Sequence, residues 1–250
     1  MSQIIRIAET ASTNILAKEY ARAGADHGSA IIAENQTAGR GRLGKQWQSI
    51  RGTGLYCSII IRPQQLPRTE YHKLTLVTGL AVALSLEFLT AKSFQLKWPN
   101  DVYYKGVGKC AGILCESVLG TNPRSDYLIA GIGINVNTRQ EEFDAEVAGR
   151  AGSLFSITGE ELCIDHVFNS VYEQILAQVD EFFSGNFSSI LSQWRQRDML
   201  AGRKSCWLTM AGESVEGIAE GVSSSGQLYI RDASGERHEV LSGDVQLVRA

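Results

Sequence analysis

Between Leu74 and Ala91 the chain runs through residues that are almost all apolar, at a length approaching that of a membrane span. Thr75, Thr78, Ser85 and Glu87 interrupt the run, and a bilayer interior penalises such groups heavily. The stretch is therefore predicted to be a helix inside a protein core, which the rest of the chain must cover with further layers. The length allows this: 250 residues suffice for one to two domains, and a chain of that size buries roughly 70–75% of its unfolded surface. A hydrophobic fraction of 44% and a charged fraction of 20% fit a soluble globular protein and exclude disordered, collagen-like and coiled-coil chains.

Around this helix the patterning is mixed. Ser12 or Thr13 can cap a helix carrying Ile15, Leu16, Tyr20 and Ala23. Strands are predicted at 29–34, 54–61, around 94–98, at 111–118 and at 127–136, and helices at 165–183 and 187–200. After Gly202 only short runs remain, at 205–210, 215–222, 227–231 and 238–241, divided by glycine turns. That texture reads as a small β-barrel or sandwich. The boundary falls near 201–204, giving expected domains of 1–201 and 202–250.

The net charge of −3 argues against a polyanion binder, yet it is unevenly spread. From Asn35 to Thr69 there is no acidic residue, while Arg40, Arg42, Lys45, Arg51, Arg62 and Arg68 are present. A local cationic field in an acidic protein points to an anion held at one place. Within it lies Gly39-Arg40-Gly41-Arg42-Leu43-Gly44-Lys45. This matches the G-x-G-x-x-G spacing, but Gly52 and Gly54 soon after it disfavour the helix a dinucleotide site requires. It also approaches a P-loop, but Gln46 stands where a hydroxyl would hold Mg²⁺. What remains is a loop whose glycines admit close backbone approach and whose arginines supply forked, permanent charge.

Three other segments stand out: Lys97-Trp98-Pro99-Asn100-Asp101, read as a strand end and a turn into Val102-Tyr103-Tyr104; Gly108-Lys109-Cys110-Ala111-Gly112-Ile113-Leu114; and Gly131-Ile132-Gly133-Ile134-Asn135-Val136-Asn137. Simple alternation from Lys109 places Ala111 and Ile113 on its face, with Cys110 and Gly112 opposite. Glycines inside strands often mark close ligand approach.

Taken in order with Ser12-Thr13-Asn14 and Gln36, these segments resemble the biotin protein ligases over most of the chain. The resemblance implies an α+β fold: a central mixed β-sheet with helices, related to class II aminoacyl-tRNA synthetases, followed by an SH3-like C-terminal β-barrel. It implies that biotin and ATP give biotinyl-5′-AMP and pyrophosphate, with Mg²⁺ assisting through ligands the sequence does not identify. The biotinyl group then passes to a lysine of a biotin carboxyl carrier domain. Carried over by position, Ser12, Thr13, Asn14 and Gln36 contact the biotin head group, and Arg40, Gly41 and Arg42 lie along the vitamin and its acyl-phosphate. Lys109 bridges the biotin carboxylate and the α-phosphate. Gly39, Trp47, Asn100, Asp101 and Asn135 belong to the nucleotide side, Trp47 packing on the adenine and Asn135 bonding its edge, with Asp101 also orienting the incoming lysine. Lys109, Arg42 and Asp101 form the expected catalytic set. Leu43 stands where another arginine is common, and Cys110 where an aliphatic residue is.

Rival readings are a lipoate or octanoate ligase on the same fold, a non-catalytic biotin-binding regulator, and a nucleic-acid binder using the basic window. GRGRLG with KWPND disfavours the first. No segment before residue 12 is long enough for a DNA-binding helix-turn-helix, which disfavours the second, and the overall charge disfavours the third. Five cysteines without a C-x-x-C pair, and no signal peptide, suggest free thiols in the cytoplasm. Neither membrane nor nucleic acid is expected as a partner, and both monomer and homodimer remain open.

Overall fold

The computed structural model describes residues 1–63, 65–208, 214–240 and 243–248. Seven strands, β1 (Ile4–Thr10), β2 (Ala30–Gln36), β3 (Gly54–Ile61), β4 (Gln95–Lys97), β5 (Asp101–Tyr104), β6 (Gly108–Val118) and β7 (Tyr127–Asn135), form one sheet in the order β1-β2-β3-β7-β6-β5-β4. β1 and β2 run parallel, connected through helix α1 (Thr13–Arg22), and the other neighbours are antiparallel. The sheet is mixed, as the α+β expectation requires.

The apolar stretch folds as α2 (Leu74–Thr90). Together with the 3-10 turns before it, over Arg68–Thr90, it has the length and composition of a membrane span, the one such helix among the described residues. Its Leu74, Val77, Leu80, Ala81, Val82, Ala83 and Leu86 are nevertheless wholly buried. It packs on the sheet and, after the short helices α3 (Ala145–Ala148) and α4 (Leu154–Thr158), on α5 (Ile164–Phe183) and α6 (Phe187–Arg195). Buried on nearly every side from Leu74 to Leu86, it needs no polar face there. α1 instead covers part of the opposite sheet face, over Ile31, Ile60, Tyr127 and Ile129.

From Lys204 a second, antiparallel sheet follows, with β8 (Lys204–Leu208), β9 (Ser214–Val222), β10 (Leu228–Asp232), β11 (Arg237–Val240) and β12 (Asp244–Leu247) in the order β11-β10-β9-β8-β12. Its inner residues Ala219, Val222, Leu228, Ile230, Val240 and Val245 join the same hydrophobic core. The β9–β10 turn docks on the first sheet's end: Trp98 Nε1 donates to Gly226 O (3.0 Å), and His72 Nε2 lies 2.7 Å from Ser225 O. Thr209, Met210 and Leu241, at the ends of two expected runs, lie outside the described residues, as do Ala211, Gly212 and Ser242 of the expected turns.

Several elements differ from the sequence reading. β1 and β12 were not expected, since an exposed parallel edge strand such as β1 buries little and shows a weak pattern. The turn before Val102–Tyr104 ends at Asn100, and Asp101 already belongs to strand β5, which is paired on both sides. The last helix stops at Arg195 instead of running to Leu200, because the chain beyond it pairs with β4: Leu96 N donates to Arg197 O and Met199 N to Leu96 O.

Candidate active site

The site is the part of the α1 face that α1 leaves uncovered. Its floor is two rows of paired residues two positions apart, hence about 7 Å apart along the strands. One row holds Ser58, Gly131 and Leu114; the next holds Tyr56, Gly133 and Gly112. A Cβ at Gly131 would stand 2.0 Å from Asn14 Oδ1. One at Gly133 would stand 2.5 Å from the Trp47 ring, and one at Gly112 2.9 Å from it. The glycines are there because side chains from α1 and from the loop rest directly on the backbone.

Over the first row lies a polar pocket. The Ser12 backbone opens α1, and Ser12, Thr13 and Asn14 are all buried. Gln36, at the end of β2, accepts at Oε1 from Thr13 N (2.9 Å), with Thr13 Oγ1 3.2 Å away, and its Nε2 donates to Ser49 Oγ (3.1 Å). Ser58, wholly buried on β3, sits 2.7 Å from Thr13 Oγ1 and 2.6 Å from Asn14 Oδ1. Asn14 Nδ2 donates to Leu114 O (3.1 Å) and to Glu116 Oε2 (2.8 Å).

Over the second row lies the glycine–arginine loop. It is a tight hairpin: Gly41 N donates to Lys45 O (2.7 Å), Trp47 N to Gly39 O (3.0 Å) and Lys45 N to Arg42 O (3.1 Å). A side chain at Gly39 would meet Trp47 O at 2.4 Å, so that glycine is a packing requirement. At the tip Leu43 has φ 53°, the left-handed region that costs an ordinary residue about 1–2 kcal/mol. The hairpin lays Trp47 on Gly133 and Gly112, with Lys109 Nζ 5.4 Å from the ring centre. Trp47 Nε1 is buried and has no hydrogen-bond partner among the described residues, a donor that a ligand could satisfy.

The charges converge here as expected. Lys109 Nζ pairs with Asp101 Oδ1 at 2.6 Å, Arg42 Nη1 donates to Asn100 Oδ1 at 3.4 Å, and Arg40 lies 3.8 Å from Glu116. Beyond Arg42 a groove of 410 Å³ continues past Trp98 and Pro99 to Gly226 and Gln227 of the second sheet. Asn135 is set apart, its Nδ2 donating to Gly152 O (2.9 Å) and Lys109 O (3.4 Å), so it ties the segment after α3 to β6. Burial pushes the Cys57 and Cys110 thiols up to about 12 and Cys115 to about 11, so none of these three is a nucleophile at neutral pH.

Alternation along β6 is corrected by the structure. Tyr103 pairs with Lys109 and Val102 with Ala111, leaving Cys110 as the extra residue of a bulge. The bulge reverses the parity, so Lys109 shares a face with Gly112, its Nζ 3.2 Å from where a Gly112 Cβ would be, while Ala111 and Ile113 enter the core.

Comparison with known proteins agrees with this geometry. Residues 5–135 match the model of the Biotin/lipoate A/B protein ligase family, and 204–248 match the Biotin protein ligase C terminal domain. The chain belongs to the biotin protein ligase family. A biotin--[acetyl-CoA-carboxylase] ligase of Mycobacterium tuberculosis is 32% identical over 99% of this chain and 90% of its own length. The bifunctional ligase/repressor BirA of Bacillus spizizenii is 31% identical over 94% of this chain and 71% of its own. The solved biotin protein ligase of Aquifex aeolicus, in complex with biotin and ATP, superposes with a TM-score of 0.85 at 34% identity, covering both chains fully.

Within this family member, sequence reasoning missed Ser58, Ser49, Lys18 and Glu116, which complete the polar pocket from separate elements. It also missed the anchor of the segment after α3: Lys109 N donates to Arg150 O (2.8 Å) and Gly152 N to Lys109 O (2.9 Å), where Gly108 takes φ 138°. The positive-φ glycine beside the lysine was the available signal.

Proposed function

We propose that this chain joins biotin and ATP into biotinyl-5′-AMP with release of pyrophosphate, then transfers the biotinyl group to a lysine of a biotin carboxyl carrier domain in the cytoplasm. The reading rests on one arrangement: a buried pocket of donors and acceptors lies one sheet row away from Lys109, Trp47 and Arg42. A ureido ring needs both donors and acceptors, and the polar pocket of Thr13, Asn14, Gln36 and Ser58 supplies them. Its valeryl chain then reaches along the glycine floor towards the lysine, with Arg40 and Gly41 above it.

Attack of a carboxylate on the α-phosphate brings two anions together, and charge grows on the phosphoryl oxygens. Lys109 holds the carboxylate and α-phosphate together, and Asp101, paired with it at 2.6 Å, orients its ammonium group. Arg42 supplies a second fixed cation, and one such donor is typically worth about 3 kcal/mol in the transition state. Asn100, Asp101 and Gly39 border the phosphate and ribose, while Trp47 and Asn135 belong to the adenine side. The hairpin from Gly39 to Trp47 covers the water-sensitive anhydride. Asp101, as the carboxylate beside the phosphates, would hold Mg²⁺ together with the nucleotide, and the ion would neutralise the departing pyrophosphate. The second sheet, read as an SH3-like domain of residues 202–250, closes the groove beside Arg42.

A direct assay tests this. Incubation with ATP, radiolabelled biotin and a carrier domain should label one carrier lysine, with lipoate and octanoate failing to replace biotin. Labelling from lipoate or octanoate instead would favour the sister ligases, and binding of biotin without ATP turnover would favour the regulator.

A further inference from the structure

The carboxylate of Glu116 lies under the polar pocket, contacts no position the family resemblance singles out except Asn14 and Arg40, and is embraced by one face of α1. Asn14 Nδ2 (2.8 Å) and Lys18 Nζ (2.6 Å), four residues apart on that helix, both reach it, and Arg40 approaches to 3.8 Å from the loop. Burial by itself would raise this carboxyl. The hydrogen bonds from Lys18 and Asn14 and the charges of Lys18 and Arg40 outweigh that and hold it below the usual carboxylate range, so it is ionised at neutral pH.

An ionised carboxylate only accepts, so it fixes the orientation of whatever amide meets it. Both Asn14 amide hydrogens are committed, one to Glu116 and one to Leu114 O, and Asn14 Oδ1 is thereby turned towards Ser58. An amide oxygen cannot donate, so the single Ser58 proton goes to Asn14. Ser58 Oγ is then left to accept from the Thr13 hydroxyl 2.7 Å away, whose one proton is used there, and Gln36 Oε1 is met by Thr13 N. The charge, acting with the Leu114 carbonyl on the same amide, thus sets the direction of three consecutive hydrogen bonds, ending at the residue bonded to Gln36.

We propose that Glu116 is a positioning residue: through Asn14 and Ser58 it fixes the donor–acceptor pattern of the pocket and so sets affinity and selectivity for a head group carrying both donors and acceptors. This rests on the biotin reading above and adds to it the residue that writes the pattern. In Glu116→Gln the acceptor-only charged partner becomes one that both donates and accepts, the Asn14 amide is held by the Leu114 carbonyl alone, and the side-chain volume is kept.

The test is a cycle of wild type, Glu116→Gln, Asn14→Ala and the double variant, measured by biotin binding calorimetry and by steady-state kinetics. Glu116→Gln should raise both Kd and KM for biotin about 10–100-fold, the size of one hydrogen bond to a charged group, while kcat and KM for ATP change less than about threefold. In the Asn14→Ala background the same change should cost less than about threefold further, because residues acting through one another are non-additive. Thermal melts identify any variant that does not fold, and for Glu116→Gln that case is decided with Ser58→Ala, which should raise biotin KM and leave kcat alone. Unchanged biotin affinity in folded Glu116→Gln, additive effects in the cycle, or a parallel fall in kcat would overturn the proposal while leaving the biotin reading intact. A wild type that binds no biotin would overturn both.

Discussion

The two faces of the seven-stranded sheet are drawn from the same strands. On the helical face, Leu55, Cys57, Ile59 and Ile61 of β3, Ala111 and Ile113 of β6, and Ile132 and Ile134 of β7 are buried beneath α2 and α5. One residue along each strand, the other face presents Tyr56 and Ser58, Gly112, Leu114 and Glu116, and Gly131 and Gly133. The first face is closed by shape and holds the fold. The second is thin, polar and charged, and carries side chains of α1 and of the glycine–arginine hairpin directly on its backbone. A period of two thus lets one strand carry stability and chemistry side by side.

The comparison breaks most clearly at Lys109, the cation of the open face. Lys109→Ala should reduce biotin-dependent ATP–pyrophosphate exchange by about 100-fold or more, with an unchanged melting curve; normal exchange would remove it from the mechanism. Neighbours on β7 sharpen the contrast. Gly133→Val meets the Trp47 ring, and relief of such overpacking, ~1–3 kcal/mol, pushes the ring off the floor, so biotin affinity should fall about tenfold or more. Ile132→Ala, on the other face, should lose ~2–5 kcal/mol of stability in denaturant titrations and keep its biotin KM. Equal effects of the two on binding would dissolve the distinction. Arg42→Gly should open the cover, giving a several-fold rise in labelling of bystander proteins by released adenylate; background labelling would assign the shield elsewhere.

A smaller effect belongs to the β6–β7 connection that braces the sheet. Asp126 is buried, accepts from Arg68 Nε and Nη2 (both 2.7 Å) and from Tyr71 Oη (2.9 Å), and the Arg68 bonds hold its carboxyl at about 2 against an ordinary 3.8. A depressed folded-state value stabilises fully above 3.8 and is lost as pH falls towards 2. Melting temperature should therefore drop through that window, and Asp126→Asn should melt lower at neutral pH and flatten that part of the profile. An unchanged profile in the variant would assign the acid sensitivity to other carboxylates.

Much of this was legible in the sequence. The strand at Gly54–Ile61 and the helix from Leu74 carry unbroken apolar runs, and the glycines of β6 and β7 announced a thin floor. The cations at 40, 42 and 109 announced an anion. What the sequence hid depends on three-dimensional pairing. The Cys110 bulge reversed the facing of Lys109 without any glycine or proline at the extra residue. Ser58 and Glu116 are ordinary strand residues until α1 is laid across them. The edge strand β1 was unreadable because an exposed strand buries too little to leave a pattern.

The central claim is that the glycine-floored face holds the activated vitamin. Crystals grown with biotin and ATP measure it directly. Density for biotinyl-5′-AMP should place the ureido ring against Asn14, Ser58 and Gln36 and the phosphate at Lys109 and Arg42. An adenylate lying elsewhere, such as in the groove towards Gln227 with the glycine floor still covered by Trp47 alone, would contradict it.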